Sequence, residues 1–182
     1  YGEAAIWQVR ADLQYDDAAA EHRRTHLERG TGPVDLREAY VSVSPFMWMD
    51  LKIGRQIITW GTGNMLFIND LFPKDWVSFF TGRDQEYRKA PSDAVMASLF
   101  SDTANLDLVF TPRFDPDRYI TGEKLSYYNA TLGRRAGEDA ILDSDVPDTW
   151  FDDVELASRL YRNAGGVELA AYQYYGYWKS PG

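Results

Sequence analysis

The chain has 182 residues, which is enough for a single domain with a sizeable core. Its 28 Asp and Glu outnumber its 19 Lys and Arg, and the resulting net charge of −9 argues against a nucleic-acid partner, because proteins that bind nucleic acid usually present a basic face. Cysteine is absent, which excludes disulfides and thiolate metal sites.

Seven stretches of the chain have the length and composition of β-strands. In chain order they are predicted at 4–16, 34–44, 49–60, 93–101, 105–113, 153–162 and 167–178. Every second join is a short turn, near 45–48, 102–104 and 163–166, and the joins between these are long polar loops at 17–33, 61–92 and 114–152. Transmembrane β-barrels of the bacterial outer membrane combine short periplasmic turns with long extracellular loops in this way.

Side chains alternate in polarity along these strands. From Trp7 to Asp16 the odd positions are apolar or aromatic and the even positions are polar or charged. A soluble sandwich also alternates, with its apolar face inward. Strand lengths near the nine to eleven or so residues of a tilted crossing favour a membrane, as do aromatics clustered at strand ends. These aromatics are Tyr15, Phe46, Trp48, Trp60, Phe110, Tyr175, Tyr177 and Trp178.

The sequence therefore predicts an all-β chain forming an antiparallel transmembrane β-barrel. Seven is an odd number of strands, whereas bacterial single-chain barrels have an even number. An open sheet in lipid would also leave unpaired backbone groups along both edges, at several kcal/mol each. We therefore expect this chain, which starts within a strand and lacks a signal peptide, to be an N-terminal part of a larger barrel.

In a barrel of this kind the polar row of each strand faces the lumen, where charges set the selectivity of a narrow aqueous path. The predicted pore-lining residues are Arg10, Asp12, Glu38, Tyr40, Asp50, Lys52, Gln56, Asp107, Glu155, Arg159 and Glu168. Their charges have both signs, so no ion preference follows. The alternative is that these charges pair with one another and solvate a plugged interior.

Arg55 breaks the alternation of the third strand. Strict alternation places it on the apolar row with Ile53, where an Arg near the bilayer midplane costs about 2–4 kcal/mol. Glycine inside a strand often marks a bulge that redirects the next side chain. We therefore expect a bulge near Gly54 that turns Arg55 into the lumen as a further pore-lining residue, beside a carboxylate such as Glu38 or Asp50. The alternative is a shifted strand in which Arg55 reaches an interface.

The loop at 62–90 is too apolar to lie free in water. It predicts either a constriction folded into the barrel or a lid over its mouth, and the predicted gate residues are Met65, Phe67, Phe72, Trp76 and Phe79. A short helix is expected near 73–80, with Asn69 or Asp70 as its cap and Pro73 in its first turn. A constriction with an apolar floor would suit amphipathic or aromatic solutes, whereas a plug would only rigidify the barrel.

The other two long loops carry side chains that can bind cations. The first contains a predicted helix over 18–29, ended by Gly30, with His22 and His26 one turn apart on one face. Without a third ligand these histidines are better interpreted as part of a solvated helix. The third loop is rich in Asp and Glu but lacks the spacing of a calcium loop. We expect those acids to be solvated, with calcium as the alternative, and we assign no metal and no cofactor.

A resemblance to a known family is carried by residues 36–80. They contain Leu36-Arg-Glu-Ala-Tyr-Val41, then Gly54-Arg-Gln56 and Trp60-Gly61, and a loop through Asn69-Asp-Leu-Phe-Pro73. This pattern resembles the porin-like outer-membrane β-barrel family of Gram-negative bacteria and, more distantly, alginate-export-type barrels. The resemblance implies a large monomeric barrel in the cell outer membrane that passes small or hydrophobic solutes or polymer chains. Its implied partners are the lipid bilayer with its lipopolysaccharide, a small-molecule solute, and other outer-membrane or periplasmic proteins.

Three functions of different classes remain open at this point. The first is a channel that passes small solutes through its lumen. The second is a closed structural or adhesive barrel whose long acidic loops bind a partner, and the third is a soluble lipocalin-like β binding domain with its apolar rows inward. We expect no enzyme, because the sequence contains no nucleophile elbow, no phosphate-binding glycine loop and no carboxylate spacing typical of a glycosidase.

Overall fold

The computed structural model of the protein describes residues 5–15, 25–61 and 69–180. These residues form an antiparallel β-protein with little helix, which confirms the predicted all-β class. The strands are β1 (Ile6–Leu13), β2 (Val34–Phe46), β3 (Met49–Gln56), β4 (Ser92–Leu99), β5 (Asn105–Thr111), β6 (Tyr127–Asn129), β7 (Arg134–Ala136), β8 (Glu155–Ala164) and β9 (Val167–Tyr175).

Seven of these strands form one sheet in the order β1-β2-β3-β4-β5-β8-β9, and β6 pairs with β7 in a separate hairpin. Every neighbouring pair in the large sheet is antiparallel. Neighbouring strands are also consecutive in the chain, except that the β6–β7 hairpin lies between β5 and β8 in the sequence. All seven predicted strands are therefore present. Among the described residues the sheet is open, with β1 and β9 as its two edges.

The third strand ends earlier than predicted. It was expected to continue to residue 60, but β3 stops at Gln56 and the chain then turns onto one face of the sheet. Ile58 and Trp60 are buried there, with Trp60 only 5% exposed. The prediction that Trp60 belongs to an interfacial ring of aromatics is therefore wrong, because this indole packs inside the protein.

The register gives the sheet two faces of opposite character. One row of paired residues crosses all seven strands through Trp7, Val41, Ile53, Val95, Phe110, Leu156 and Tyr175. We call the surface that carries this row the apolar face. A row on the other surface crosses five strands through Asp50, Ser98, Asp107, Arg159 and Tyr172, and we call that surface the polar face.

The two faces also differ in what covers them. The apolar face is open to the surroundings: Val9 is 73% exposed, Leu13 87%, Leu108 42% and Leu160 51%. The polar face is covered by the long connections, and the buried core cluster contains its residues Ala94, Val109 and Ala157 together with loop residues. This is the reverse of a soluble sandwich, in which the apolar rows point inward.

Helical structure is confined to the connections. The α-helix α1 (Trp76–Phe80) begins after Asp75, whose Oδ1 accepts a hydrogen bond from the Ser78 backbone N–H at 2.7 Å. The predicted caps, Asn69 and Asp70, are therefore wrong. The helix starts later because Lys74 and Asp75 are held in extended bridges to Lys89 and Arg118. Two 3-10 turns, Gln85–Arg88 and Glu138–Ala140, complete the helical content of the described residues.

None of these helices, in the part of the chain that the structure describes, is long and apolar enough to cross a membrane. The helix predicted over 18–29 falls mostly on residues 16–24, and His22 with it lies outside the described residues. The described end of that loop is not helical, because His26 and Thr31 form a β-bridge around a turn at 27–30.

Candidate functional site on the polar face of the sheet

The predicted pore-lining residues lie together on the polar face, with one exception. The register places there Arg10, Asp12, Glu38, Tyr40, Asp50, Lys52, Gln56, Asp107, Glu155, Arg159 and Glu168. Period-two alternation was sufficient to find this set, since successive side chains of a strand point to opposite faces.

Many charges of the polar face are paired with one another. Arg159 Nη2 lies 2.6 Å from Glu168 Oε1, and its Nη1 lies 3.7 Å from Asp107 Oδ2. The Asp107 carboxylate also accepts a hydrogen bond from the Ser98 hydroxyl at 2.8 Å. Near β1, Arg10 Nε lies 3.3 Å from Glu38 Oε2. Pairs of this kind leave no strong field of one sign along the strands.

Arg55 is the exception, and the prediction of a bulge near Gly54 is wrong. The ladders on both sides of β3 are regular there, with Arg55 opposite Ala39 on β2 and Asp93 on β4. Arg55 therefore keeps the parity of the apolar face, and its Nη1 pairs with Asp93 Oδ2 at 3.0 Å rather than with Glu38 or Asp50. It is 4% exposed because it lies one residue from the end of β3, where loop residues cover it.

Gly54 has a different role from the one predicted. Its φ is +121°, a conformation that disfavours other residues, and an added Cβ would overlap the Ala39 carbonyl oxygen of β2. The glycine thus allows β2 and β3 to approach closely without interrupting the ladder.

We call the connection between β3 and β4 (residues 57–91) the crossing segment; its described parts, 57–61 and 69–91, lie across the polar face. At one end Trp60 packs edge-on against Phe72, with ring centroids 4.9 Å apart, and lies 6.1 Å from the ring of Tyr172 on β9. Phe72 is 4% exposed in the same cluster. This end of the crossing segment therefore packs against the β4–β9 half of the sheet.

The other end of the crossing segment reaches the opposite half of the sheet. Glu86 Oε2 lies 3.1 Å from Arg10 Nη1 of β1, and Arg83 Nη2 lies 3.5 Å from Asp12 Oδ2 of the same strand. The described parts of the segment, 57–61 and 69–91, thus contact both sides of the polar face. Of the predicted gate residues, Phe72 contacts the sheet cluster, Trp76 and Phe79 lie on α1, and Met65 and Phe67 fall outside the described residues.

A buried ionic cluster that sequence reasoning missed joins the loops to the sheet. We call it the charged hub; it consists of Asp35, Arg37, Asp75 and Arg118, each at most 4% exposed. Arg118 Nη2 and Nη1 donate to the two carboxylate oxygens of Asp35 at 2.8 and 2.9 Å, and Nη1 also donates to Asp75 at 3.2 Å. Paired oxygens of this geometry match the fork of a guanidinium.

The remaining donors of the hub hold the loop backbone. Arg118 donates to the carbonyl oxygens of Leu27 and Glu28, both at 3.1 Å, and Arg37 donates to that of Lys89 at 2.6 Å. Residues from all three long connections are therefore joined at one point. Burial lowers the pKa of Arg118, but the hydrogen bonds and charges of Asp35 and Asp75 outweigh it and leave the pKa above its ordinary value.

A β-bulge on β2 explains why the hub was missed. The register passes from Arg10 opposite Glu38 to Ala11 opposite Leu36, so Arg37 is the extra residue. Strict alternation with Glu38 on the polar face would put Asp35 and Arg37 on the apolar face. Two charges at alternate positions of an apolar row are the signal that could have revealed the bulge.

The acidic third loop is ordered around two buried carboxylates. Asp117 accepts hydrogen bonds from the Lys74 backbone N–H at 2.7 Å and from the Trp76 indole N–H at 2.9 Å. Asp115 is 3% exposed and accepts a hydrogen bond from the Asp93 backbone N–H at 3.0 Å. Burial, together with the nearby Asp93 carboxylate, raises the pKa of Asp115 to about 7, although Lys179, the Asp93 backbone N–H and Arg55 oppose the rise.

The rest of this loop packs on itself. The hydroxyl of Tyr119 lies 2.8 Å from that of Ser144, and the Tyr127 hydroxyl donates to the Ala140 carbonyl at 2.7 Å. The expectation of fully solvated acids is wrong for Asp115 and Asp117, which are buried. Within the described ranges no three His, Asp or Glu side chains are placed to hold a metal ion.

The site as a whole is a wall of paired charges crossed by a loop that a buried ionic cluster holds in place. Such an arrangement can position and discriminate solutes through fixed charges. No protein-family model, curated protein or solved structure was found to match this chain.

Proposed function

We propose that this chain forms part of an outer-membrane β-barrel channel of a Gram-negative bacterium, with its apolar face against lipid and its polar face around an aqueous path for small solutes. In this arrangement the crossing segment is the constriction. Lipopolysaccharide-bearing lipid is the partner of the apolar face, and other outer-membrane or periplasmic proteins would contact the loops and turns.

The single observation that carries the proposal is the inverted polarity of the sheet. Large apolar side chains such as Leu108 and Leu160 are uncovered on one face, while charged side chains such as Asp107 and Glu155 are buried on the other. In water the first face would aggregate, since contiguous exposed apolar surface of this extent marks a binding or membrane surface. Hydrocarbon is the environment in which that face is stable.

The open edges of the sheet support a larger assembly. In the described parts of the chain, each of β1 and β9 has a strand neighbour on one side only. In hydrocarbon every unpaired backbone N–H and C=O costs several kcal/mol, so the sheet has to close through further strands. We propose that such strands pair with both edges and complete the barrel.

The test is the conductance of the full-length protein in a planar lipid bilayer. We expect discrete conductance steps and an ion preference that a lumen charge can change. Lys52→Glu should shift the reversal potential in a salt gradient towards cation preference, because Lys52 lies on the polar face beside Tyr40, with Nζ 3.7 Å from the ring centre. Arg134→Glu on the β6–β7 hairpin is the matched control and should leave the reversal potential unchanged. A protein that inserts and gives no conductance would contradict the channel.

A second candidate, a closed structural or adhesive barrel, is favoured by the charged hub. Arg37 is fully buried and Asp35 is 1% exposed, so this part of the polar face is packed solid rather than open to a path. In that case the inserted protein would be electrically silent and its acidic loops would be the functional surface. The same bilayer recording separates the two candidates.

Detergent dependence separates both candidates from a soluble lipocalin-like domain. With the apolar face uncovered, we expect the purified chain to be monodisperse only with detergent or lipid present. Size-exclusion chromatography with and without detergent measures this, and a monodisperse detergent-free protein would exclude the membrane function.

A further inference from the structure

A cavity of about 370 Å³ lies among the loops, beside α1. All three long connections contribute to its walls, through Thr31, Val77 and Ile120 among others. Its volume is at the lower end of the range of about 300–1,000 Å³ that is usual for pockets of small ligands. It is too small for a lipid with several acyl chains.

The walls of the cavity are mainly apolar, and its floor is polar but already satisfied. Val77, Ile120, Leu125 and Val146 supply the apolar surface. Arg118 at the floor makes five hydrogen bonds to the hub and to Leu27 and Glu28, so it offers little to a ligand. A ligand would therefore bury an apolar body in this cavity and place any charge away from Arg118.

The remaining charged residues of the lining are mostly basic. Asp75, Asp117 and Arg118 of the lining take part in the buried contacts described above. The other charged lining residues are three basic ones, Arg29, Arg83 and Lys124, and one acidic one, Glu123. This excess is local, because the chain as a whole has a net charge of −9. A basic patch on an acidic protein attracts anions to that place and repels them elsewhere.

Two of these basic side chains form long ion pairs with other described residues. Arg29 lies 3.4 Å from Asp143, a residue whose side chain is 85% exposed. Arg83 lies 3.5 Å from Asp12, with its own side chain 36% exposed. Exposed pairs of this length contribute about 0–1 kcal/mol and are readily exchanged for an incoming anion. The Arg83 guanidinium also lies over the Tyr87 ring, 3.8 Å from its centre, but this contact uses the face of the guanidinium, whereas an anion binds the N–H donors in its plane. Both guanidiniums can thus exchange these ion pairs for a carboxylate or phosphate at the cavity.

We propose that this cavity binds small amphipathic solutes that carry one anionic group, with the apolar part against Val77, Ile120 and Leu125 and the anion beside Arg29 and Arg83. A role as the first binding step of a transported solute rests on the proposed channel function, whereas the binding itself does not. The proposal thereby narrows the amphipathic solutes expected from the sequence to anionic ones.

The test compares three probes of equal shape and different charge on the full-length protein in nanodiscs. The probes are 4-phenylbutyrate, 4-phenylbutanol and 4-phenylbutylamine, measured by isothermal titration calorimetry against empty nanodiscs. We expect the carboxylate to bind more tightly than the alcohol and the amine not to bind. Equal affinities for all three probes, or no binding heat above that of the empty nanodiscs, would overturn the proposal.

Variants locate the binding. Arg29→Gln combined with Arg83→Gln should weaken 4-phenylbutyrate roughly tenfold, since charge-assisted hydrogen bonds are lost. Val146→Trp should abolish binding by filling the cavity, and Arg134→Gln, at a residue that does not line the cavity, should change nothing. Unaltered affinity in both the double variant and Val146→Trp would place the site elsewhere and contradict the inference.

The outcomes are separable from those of the channel test. Binding of 4-phenylbutyrate by a protein that gives no conductance would leave this inference standing and remove the channel. Conductance without charge-dependent binding would support the channel and contradict this inference. A channel that also binds should show a lower current with 4-phenylbutyrate on the loop side of the bilayer and an unchanged current with the amine.

Discussion

Arg118 and Asp35 form a forked ion pair between residues 83 positions apart, with both Nη–Oδ distances below 3 Å and both side chains buried. The pair ties the third loop to β2, and Asp75 extends it to the crossing segment. Since the hub is cut off from water, its members stabilise the loops only as long as all of them are present.

Removing Arg118 should therefore loosen the whole loop layer. We expect Arg118→Gln to lower the free energy of unfolding by about 3–5 kcal/mol, because it leaves Asp35 buried with its main partner gone. Urea titration of the full-length protein refolded in detergent micelles measures this. Arg134→Gln, which removes an ion pair to Asp139 with both side chains more than half exposed, should cost about 0–1 kcal/mol. Similar costs for the two variants would contradict the buried hub.

Gly30 should tolerate no side chain because of the same arginine. It has φ +63° and an added Cβ would overlap the Arg118 guanidinium, which five hydrogen bonds hold in place. Gly133 has the same φ and nothing near an added Cβ. Both Gly→Ala variants therefore carry the backbone cost of about 1 kcal/mol, and Gly30→Ala should cost at least about 1 kcal/mol more. Protease resistance of the loops and the unfolding midpoint report the difference, and equal effects would mean that Arg118 moves freely.

Arginine substitutions on the apolar face should show whether it meets hydrocarbon. Leu108 is at the middle of β5, whereas Leu169 is the third residue of β9, close to the β8–β9 turn. In a bilayer Leu108→Arg should cost about 2–4 kcal/mol and Leu169→Arg about 0–1 kcal/mol, because the cost falls with distance from the midplane.

Reversible unfolding of the full-length protein from lipid vesicles measures both values. In a face exposed to water the two substitutions would cost little and about equally, which would contradict the proposed membrane contact.

Asp115 should make the stability fall as the pH rises towards neutrality. Burial raises its pKa to about 7 in the folded protein, above the ordinary value of 3.8, so the folded state binds the proton more tightly. The unfolded state therefore binds fewer protons between about pH 4 and 7, and the free energy of unfolding decreases across that interval. Asp115→Asn should remove this slope. Between pH 5 and pH values above 7, the free energy of unfolding should therefore fall less in the variant than in the wild type.

Thermal unfolding in detergent between pH 5 and 8.5 measures the slope. Asp153→Asn is the control in the same loop, since the hydrogen bonds from the Thr149 backbone N–H and the Tyr177 hydroxyl hold the pKa of Asp153 below its ordinary value. The titration of Asp153 therefore lies below this pH interval, and Asp153→Asn should leave the slope unchanged. A slope that persists in Asp115→Asn would assign it to another group.

The strands and the separation of polar from apolar residues were predictable because each is a local property. A strand turns every second side chain to the same face, so the period of two in the sequence fixes which residues share a surface. This reasoning located all seven strands of the large sheet. It also assigned every predicted pore-lining residue to the correct face, with the exception of Arg55.

The predictions were wrong where the local conformation of a residue is set by a contact with a residue far away in the sequence. Gly54 is placed by the close approach of β2 and not by a bulge, and the helix cap is Asp75 because an extended bridge to Arg118 delays the helix. Neither contact leaves a trace in the neighbouring sequence, since each partner comes from a different part of the chain.

The sequence by itself determined an antiparallel sheet with one greasy and one charged side, since hydrophobic periodicity is written along each strand. Only the tertiary structure decided that the apolar side is left uncovered and that the described parts of the crossing segment pack over the charged side. It also decided that four ionic residues from three parts of the chain, β2, the crossing segment and the third loop, meet at one buried point. The physical reason is that a bulge at Arg37 and the convergence of three long connections depend on which strands become neighbours, and residue order along one strand does not record this.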